Sequence, residues 1–325
     1  MNNDLQKAYE KSLSRNSKTY VDKPKAPHFW AVGSGKGGVG KTFVATGLAI
    51  TLSTLGRSVI LIDVDLSGGN VHSFLGTKPR SPNLRHFMQG EVSLPELVVP
   101  TVVPNLSFVQ GYWDSWAPAD FNQSQIDQLL LGAKELNADY VVFDMGAGNL
   151  DAYLKIFNAA GEKFLVTSPE PTSVEKNYRF IEAFVCKSIQ ENANLEAYSK
   201  LIDTLREHRQ GKLEKPFSFR EYFRNESSFQ FDHFEAITKS PMRLIVNSTR
   251  GKGDIDLGYS IKSVCNKYFD LPIDYVEAID FDNAAWQSIR NMEHVLISQP
   301  FTPLARQFYE TCKHLIDPRD LRAVV

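Results

Sequence analysis

Apolar residues along this chain fall into short dense runs separated by stretches in which they recur at helical spacing. Residues 28–34, "HFWAVGS", form a run of strand length; residues 41–56, "KTFVATGLAITLSTLG", space their apolar positions as a helix does and close on Gly56; "SVILIDVD" at 58–65 is a second run. Similar runs follow at "LSFVQG" (106–111), "YVVFDMG" (140–146), "KFLVTSP" (163–169) and "RLIVNS" (243–248), with helical segments between most of them. Runs this apolar suit strands covered on both faces, which is the condition of a parallel sheet. Strand alternating with helix predicts right-handed crossovers and an α/β fold, a doubly wound, mostly parallel sheet flanked by helices, with ligands at the carboxyl ends of the strands. The polar and glycine-rich residues fall at those ends.

The rhythm breaks once. Roughly 50 residues separate "IEAFVCKSI" (181–189) from "MRLIVN" (242–247), too many for an ordinary connection, and their second half is dense in phenylalanine. Residues 187–240 are therefore expected to be an insertion with its own helices, within a domain spanning 28–316. A polar arm, 1–27, ends in the helix-breaking "DKPKAP", and a short tail covers 317–325.

Composition narrows the function classes. The chain has 325 residues, 42% hydrophobic and 23% charged, and a net charge of −2, so DNA or an acidic membrane would have to be met by a local patch. Cys186, Cys265 and Cys312 are far apart and unpaired in sequence, which suits a reducing compartment and opposes a disulfide framework or thiolate cluster. With no secretory h-region and no apolar stretch of membrane-spanning length, the expected location is cytoplasmic.

The chemistry concentrates in "GSGKGGVGKT", residues 33–42. From Gly35 to Thr42 it fits G-x-x-x-x-G-K-[ST] between a predicted strand and a predicted helix. Gly35, Gly37, Gly38 and Gly40 let backbone N–H groups curl around phosphates, Lys41 meets the β and γ oxygens, and Thr42 is a magnesium ligand. The expected nucleotide contacts run through Lys36, Val39 and Phe43 as well. Lys36 starts the loop, where it cannot readily fold back onto phosphates held by that loop; it can reach those of a facing copy. The alternative is a solvated surface lysine.

The run "KGGVGKT" resembles the deviant Walker A family of P-loop ATPases, and within it the MinD, ParA and FlhG group. That resemblance implies ATP and Mg²⁺ as ligands, a nucleotide-sandwich homodimer, and a role for Lys36 on the neighbour's ATP. "DVDLSGGNVHSFLG" is similar to the family's first switch segment: Asp65 matches the carboxylate that orients the attacking water, Asp63 a residue near the magnesium, and Asn70 the loop that responds to the γ-phosphate. Capping of a turn by Asp63 and Asp65 is the plainer alternative. "VVFDMGAG" resembles the second switch, in which Asp144 holds magnesium through water and Gly146 and Gly148 admit the γ-phosphate. "PEPTS" looks like FlhG and MinD more than ParA and makes Glu170 a contact to nucleotide across the dimer seam; a helix start capped by Thr172 is the alternative. Asn247 matches the residue that reads the adenine edge. The following base-flanking segment carries Asp280, but where the family has I-P-x-D this chain has Ile279-Asp280-Phe281-Asp282.

The resemblance implies a slow, partner-stimulated ATPase that positions or regulates a flagellum, division or polar assembly, with Lys36, Lys41 and Asp65 catalytic. It departs at both ends. The tail, "CKHLIDPRDLRAVV", is broken by Pro318 and does not read as a membrane anchor, and the arm lacks the FlhG pattern for activating a partner GTPase. A ParA-like partition protein carried by nonspecific DNA, and a metabolic enzyme of the same fold, are the competing readings. In the insertion, Arg206, Arg209, Lys212, Lys215, Arg220 and Arg224 lie among Phe217, Phe219 and Phe223, but acids interleave. A docking element for a protein partner is the reading favoured over a nucleic-acid surface. Trp113 and Trp116 are either an interface anchor or a cover for the sheet edge.

Overall fold

The computed structural model describes residues 26–65, 68–111, 121–192, 195–210, 217–225 and 241–316. The arm through Lys25, the loop with Trp113 and Trp116, Lys212 and Lys215, and the tail from 317 lie outside the described residues. Eight strands form one sheet: β1 His28–Ser34, β2 Val59–Val64, β3 Val98–Pro100, β4 Leu106–Val109, β5 Tyr140–Ala147, β6 Glu162–Thr167, β7 Met242–Thr249 and β8 Ile273–Asp280. Their order is β3-β4-β2-β5-β1-β6-β7-β8, parallel throughout except where β3 meets β4. β1 lies inside, between β5 and β6.

The helices are α1 Lys41–Thr54, α2 Gln123–Lys134, α3 Asp151–Ala159, α4 Pro171–Asn192, α5 Leu195–Arg209, α6 Phe219–Asn225, α7 Lys252–Tyr268, α8 Asn283–Arg290 and α9 Pro303–Leu315; one-turn helices sit at Val71–Phe74, Leu84–Met88 and Val295–Ser298. Alternate residues of each strand feed opposite cores. Phe29, Ala31, Ile62 and Phe143 pack with α2 to α7 on one face. Trp30, Val32, Leu61 and Phe164 pack with α1 and α9 on the other. Trp30, 2% exposed, is gripped between Tyr140 and Phe164; burying a side chain of this size contributes about 3 kcal/mol.

Both strands absent from the apolar runs are at the edges. β3 has three residues and ends on a proline, and β8, "IDYVEAID", carries an acid at every third position, Asp274, Glu277 and Asp280, with most of its residues only half buried.

Candidate functional site

The loop from Ser34 to Gly40 joins β1 to α1, so the amino end of a buried helix faces the carboxyl end of the sheet. Gly40 stands at the N-cap with φ 94°, a left-handed conformation glycine adopts without strain, and no side chain caps the helix. The first-turn N–H groups thus lack intrahelical partners and point to an anion. No acid lies in that first turn to compete.

Lys41 is 7% exposed, its Nζ 3.5 Å from the Lys36 carbonyl. Burial lowers its pKa, and Asp144 and Asp65 oppose that shift. Asp63 and Asp144 are paired in register across β2 and β5 and are 1% and 0% exposed. Asp63 is engaged by its own loop: Oδ1 accepts from Asp65 N at 3.1 Å and Oδ2 from Val71 N at 3.2 Å. Neither oxygen of Asp144 has a partner in hydrogen-bond geometry. Burial pushes the Asp144 carboxyl up to about 7, with Asp65 adding to the rise; the nearby Thr42 hydroxyl and the charge of Lys41 restrain it. Asp63 is likewise raised, by burial and then by Asp144. An orphaned buried carboxylate beside a hydroxyl is the donor set a hard divalent cation needs, so Asp144 and Thr42 fit magnesium. No group of three or more His, Cys, Asp or Glu among the described residues makes a cage by itself, so such an ion would share its shell with phosphate oxygens and water.

Asp65 reaches over the second switch. A Cβ built on Gly146 would lie 2.1 Å from the Tyr153 hydroxyl and 2.8 Å from Asp65 Oδ1, so the two side chains meet above that glycine. Asn70 is the exposed N-cap of the Val71–Phe74 turn. Lys36 Nζ donates to Glu170 Oε2, an ion pair within one chain whose side chains are 26% and 60% exposed. The family resemblance puts both residues on nucleotide across a seam; in the single chain they hold each other.

The adenine-side candidates split. Asn247, 7% exposed, donates through Nδ2 to the Val39 carbonyl at 2.8 Å and so ties β7 to the phosphate loop. Asp280 accepts from Thr249 Oγ1 at 2.8 Å, and next to it the Arg250 guanidinium lies over the Phe281 ring, 4.2 Å from its centroid. Phe281, which falls within the departure from I-P-x-D, thus supplies a flat aromatic face there.

Two participants escaped the motifs. His294, fully buried, makes a 3.0 Å hydrogen bond from Nε2 to the Phe43 carbonyl, accepts from Leu296 N through Nδ1 and stacks on the Phe43 ring. Asn177 on α4 accepts at Oδ1 from Gly35 N at 2.7 Å. Neither contact to the loop and its helix signals itself locally, since Phe43 and Gly35 lie far from them in sequence. Behind α4 a cleft of about 1110 Å³ runs from Gly35 and Gly148 to Arg206, Arg209 and Phe217.

Comparison with known proteins places the chain in a family and a fold. The ParA family model, described as NUBPL iron-transfer P-loop NTPase, matches residues 25–192. The flagellum site-determining protein YlxH of Helicobacter pylori is 26% identical over 253 residues, covering 74% of this chain and 80% of that protein. The antiactivator FleN of Pseudomonas aeruginosa is 34% identical over 159 residues, 47% of this chain and 54% of FleN. The septum site-determining protein MinD of Pyrococcus horikoshii, complexed with Mg-ADP, superposes with a TM-score of 0.63 at 16% identity, covering 92% of this chain and 100% of that one. At that identity the likeness speaks for the fold.

Proposed function

Because this chain belongs to the MinD/ParA family of P-loop NTPases, we propose that it is a dimerising switch ATPase of the MinD/FlhG type. ATP closes two copies face to face, the closed pair engages a partner, and hydrolysis releases it. The names of its relatives, site-determining proteins of flagellum and septum among them, support a role in positioning or regulating such an assembly.

The chain's own residues divide the work. Lys41 and the uncapped amino end of α1 take the phosphates. Thr42 and Asp144 hold magnesium, which supplies countercharge to the phosphate oxygens when bound. Asp65 orients the attacking water, a reading supported by its approach to Gly146 and its electrostatic pull on Lys41. Asn247, Asp280 and Phe281 border the base. The observation that carries the switch reading is the Lys36–Glu170 pair: an exposed ion pair is worth little, so Lys36 can leave Glu170 for a neighbour's phosphate at small cost.

The protein partner is expected on the 187–240 segment or the dimer surface, with recruitment from the cytoplasm by that partner; no helix among the described residues is long and apolar enough to cross a membrane. Iron–sulfur transfer, suggested by the wording of the family model, finds little support in the cysteines. Cys186, Cys265 and Cys312 are all free, and no group of three or more metal-ligating residues is found among the described residues.

The test is light-scattering mass of wild type and Lys36→Ala with MgADP and with MgATP. Wild type doubles in mass with MgATP only, and Lys36→Ala stays single while still binding nucleotide through Lys41. A Lys36→Ala variant that doubles with ATP as wild type does would sink the cross-subunit role.

A further inference from the structure

Asn177 stands out among the buried polar side chains because it joins four parts of the molecule at once. It is 3% exposed on α4. Its Oδ1 accepts from Gly35 N at 2.7 Å and lies 3.3 Å from Ser34 Oγ, while its Nδ2 donates to the Val166 carbonyl of β6 at 3.0 Å. Ser34, itself fully buried, continues the network. Its Oγ accepts from Lys36 N at 3.1 Å, and its one proton goes either to the Lys36 carbonyl at 3.1 Å or to Asn177. Its carbonyl accepts from Gly148 N at 3.0 Å. One carboxamide therefore holds the stretch from Ser34 to Lys36, and through Ser34 the end of the second switch.

The contact is steric as well as polar. A Cβ on Gly35 would fall 2.0 Å from the Lys176 carbonyl oxygen and 2.9 Å from Asn177 N, so the loop rests directly on the α4 backbone. Glu170, immediately before α4, holds the Lys36 side chain. The same helix governs that lysine at its backbone and at its ammonium. Farther along, Leu201 and Leu205 of α5 are buried in the same core as Phe184 and Val185 of α4, and Glu182 of α4 accepts from Arg209 of α5 at 2.8 Å, so α4 also carries the first helix of the 187–240 segment. The phosphate grip is anchored elsewhere: Lys41 and Phe43 belong to α1, held by His294 and α9 on the opposite face.

We propose that Asn177 is a positioning residue which seats the Ser34–Lys36 arm and the Gly148 switch on α4, so that the position of this helix sets where Lys36 stands. This rests on the dimerising-switch reading. It goes beyond it in assigning control of Lys36 to α4, and with it a route by which a partner bound to the α5 side would act on the lysine without touching the nucleotide.

The test uses the full chain with Asn177→Leu, equal in size and without polar atoms, and Asn177→Asp, which keeps an acceptor for Gly35 N. Loss of a buried acceptor leaves an amide unsatisfied, an effect of about tenfold in a local equilibrium. Hydrogen exchange of the Gly35 and Lys36 amides in nucleotide-free protein is expected to rise about tenfold in Asn177→Leu and to return toward wild type in Asn177→Asp. Affinity for MgADP, gripped through α1, should stay within about threefold, while MgATP-driven dimer formation and turnover fall about tenfold or more. Wild-type exchange at Gly35 in a folded Asn177→Leu variant overturns the proposal. So does an equal fall in ADP affinity and in the ATP-driven steps, which would mark a merely structural residue. If Asn177→Leu does not fold, Ser34→Ala, which removes the hydroxyl relay alone, must show the same split between ADP binding and ATP-driven steps, and equal effects refute it. A wild type that never dimerises with ATP defeats the switch reading, whereas the exchange measurement still judges Asn177.

Discussion

His294 offers a direct measure of how tightly the phosphate-loop helix is clamped. Its ring is fully buried among Phe43, Phe74 and Phe308, and both nitrogens are used: one bonds the Phe43 carbonyl, the other accepts from Leu296 N. Burial lowers its pKa from 6.5 to about 4. The unfolded chain therefore binds a proton as pH falls through 6.5, while the folded chain stays neutral down to about 4. Stability from this group is complete above the unfolded value and is lost as pH falls through that window. A shift of this size is worth about 3 kcal/mol in all, most of which is gone by about pH 4.5. His294→Asn keeps the cap over Leu296 N, but its shorter side chain cannot reach the Phe43 carbonyl or stack on that ring, and it does not titrate. At about pH 8 the variant should be less stable than wild type by about 2–3 kcal/mol, from a lost hydrogen bond and lost packing. At about pH 4.5 the difference should nearly vanish, because only wild type has paid the proton cost. Urea unfolding followed by tryptophan fluorescence, with buried Trp30 as a reporter, measures both ends; other titrating groups cancel in the difference. A gap that stays constant between the two pH values would refute a neutral His294 clamp.

Two more substitutions probe the anion cradle and its cation. Asp144 has a folded pKa raised to about 7, so apo wild type loses stability as pH climbs from about 4 through 7. Asp144→Asn should make the apo protein more stable above about pH 7, by up to about 4 kcal/mol, while weakening Mg-nucleotide binding in calorimetry; equal stability of the two apo proteins would show that the carboxylate is not strained. Gly35→Ala forces a methyl group into the Lys176 carbonyl; it should cost about 2–3 kcal/mol in denaturant unfolding, and an unperturbed variant would mean that loop and helix are not in contact as described.

Much of this was legible because it is local or strongly patterned. Six strands show as apolar runs since both their faces are covered, and the phosphate loop shows because the groups that bind phosphate are consecutive residues between a strand and a helix. β8 was illegible since an edge strand needs no second apolar face, and β3 since three residues carry no period. Asn177 and Gly35 are 142 residues apart, and His294 and Phe43 are 251 apart; no spacing rule links them, because the crossovers of the sheet alone bring them together. Lys36 and Glu170 were each conspicuous in a motif, yet their pairing within one chain depends on β1 and β6 being neighbours, which strand order decides.

That strand order also explains why the candidate site divides into two mechanically distinct halves. Lys41, Thr42 and Phe43 open α1, which packs with α9 in the core on one side of the sheet. Ser34, Gly35 and Lys36 rest on α4, whose core is on the other side. The loop crosses from one core to the other within a few residues, at β1, where the sheet is covered on both faces. On the switch reading proposed above, gripping phosphate would fall to the first half, so nucleotide could stay bound while Lys36 changes partners. Moving Lys36 would, on the same reading, involve only the second half, where it is held by the exposed Glu170 pair and by the Asn177 carboxamide. On that reading, a site built entirely on one core would have to loosen its hold on the nucleotide in order to switch, whereas one straddling the sheet would not.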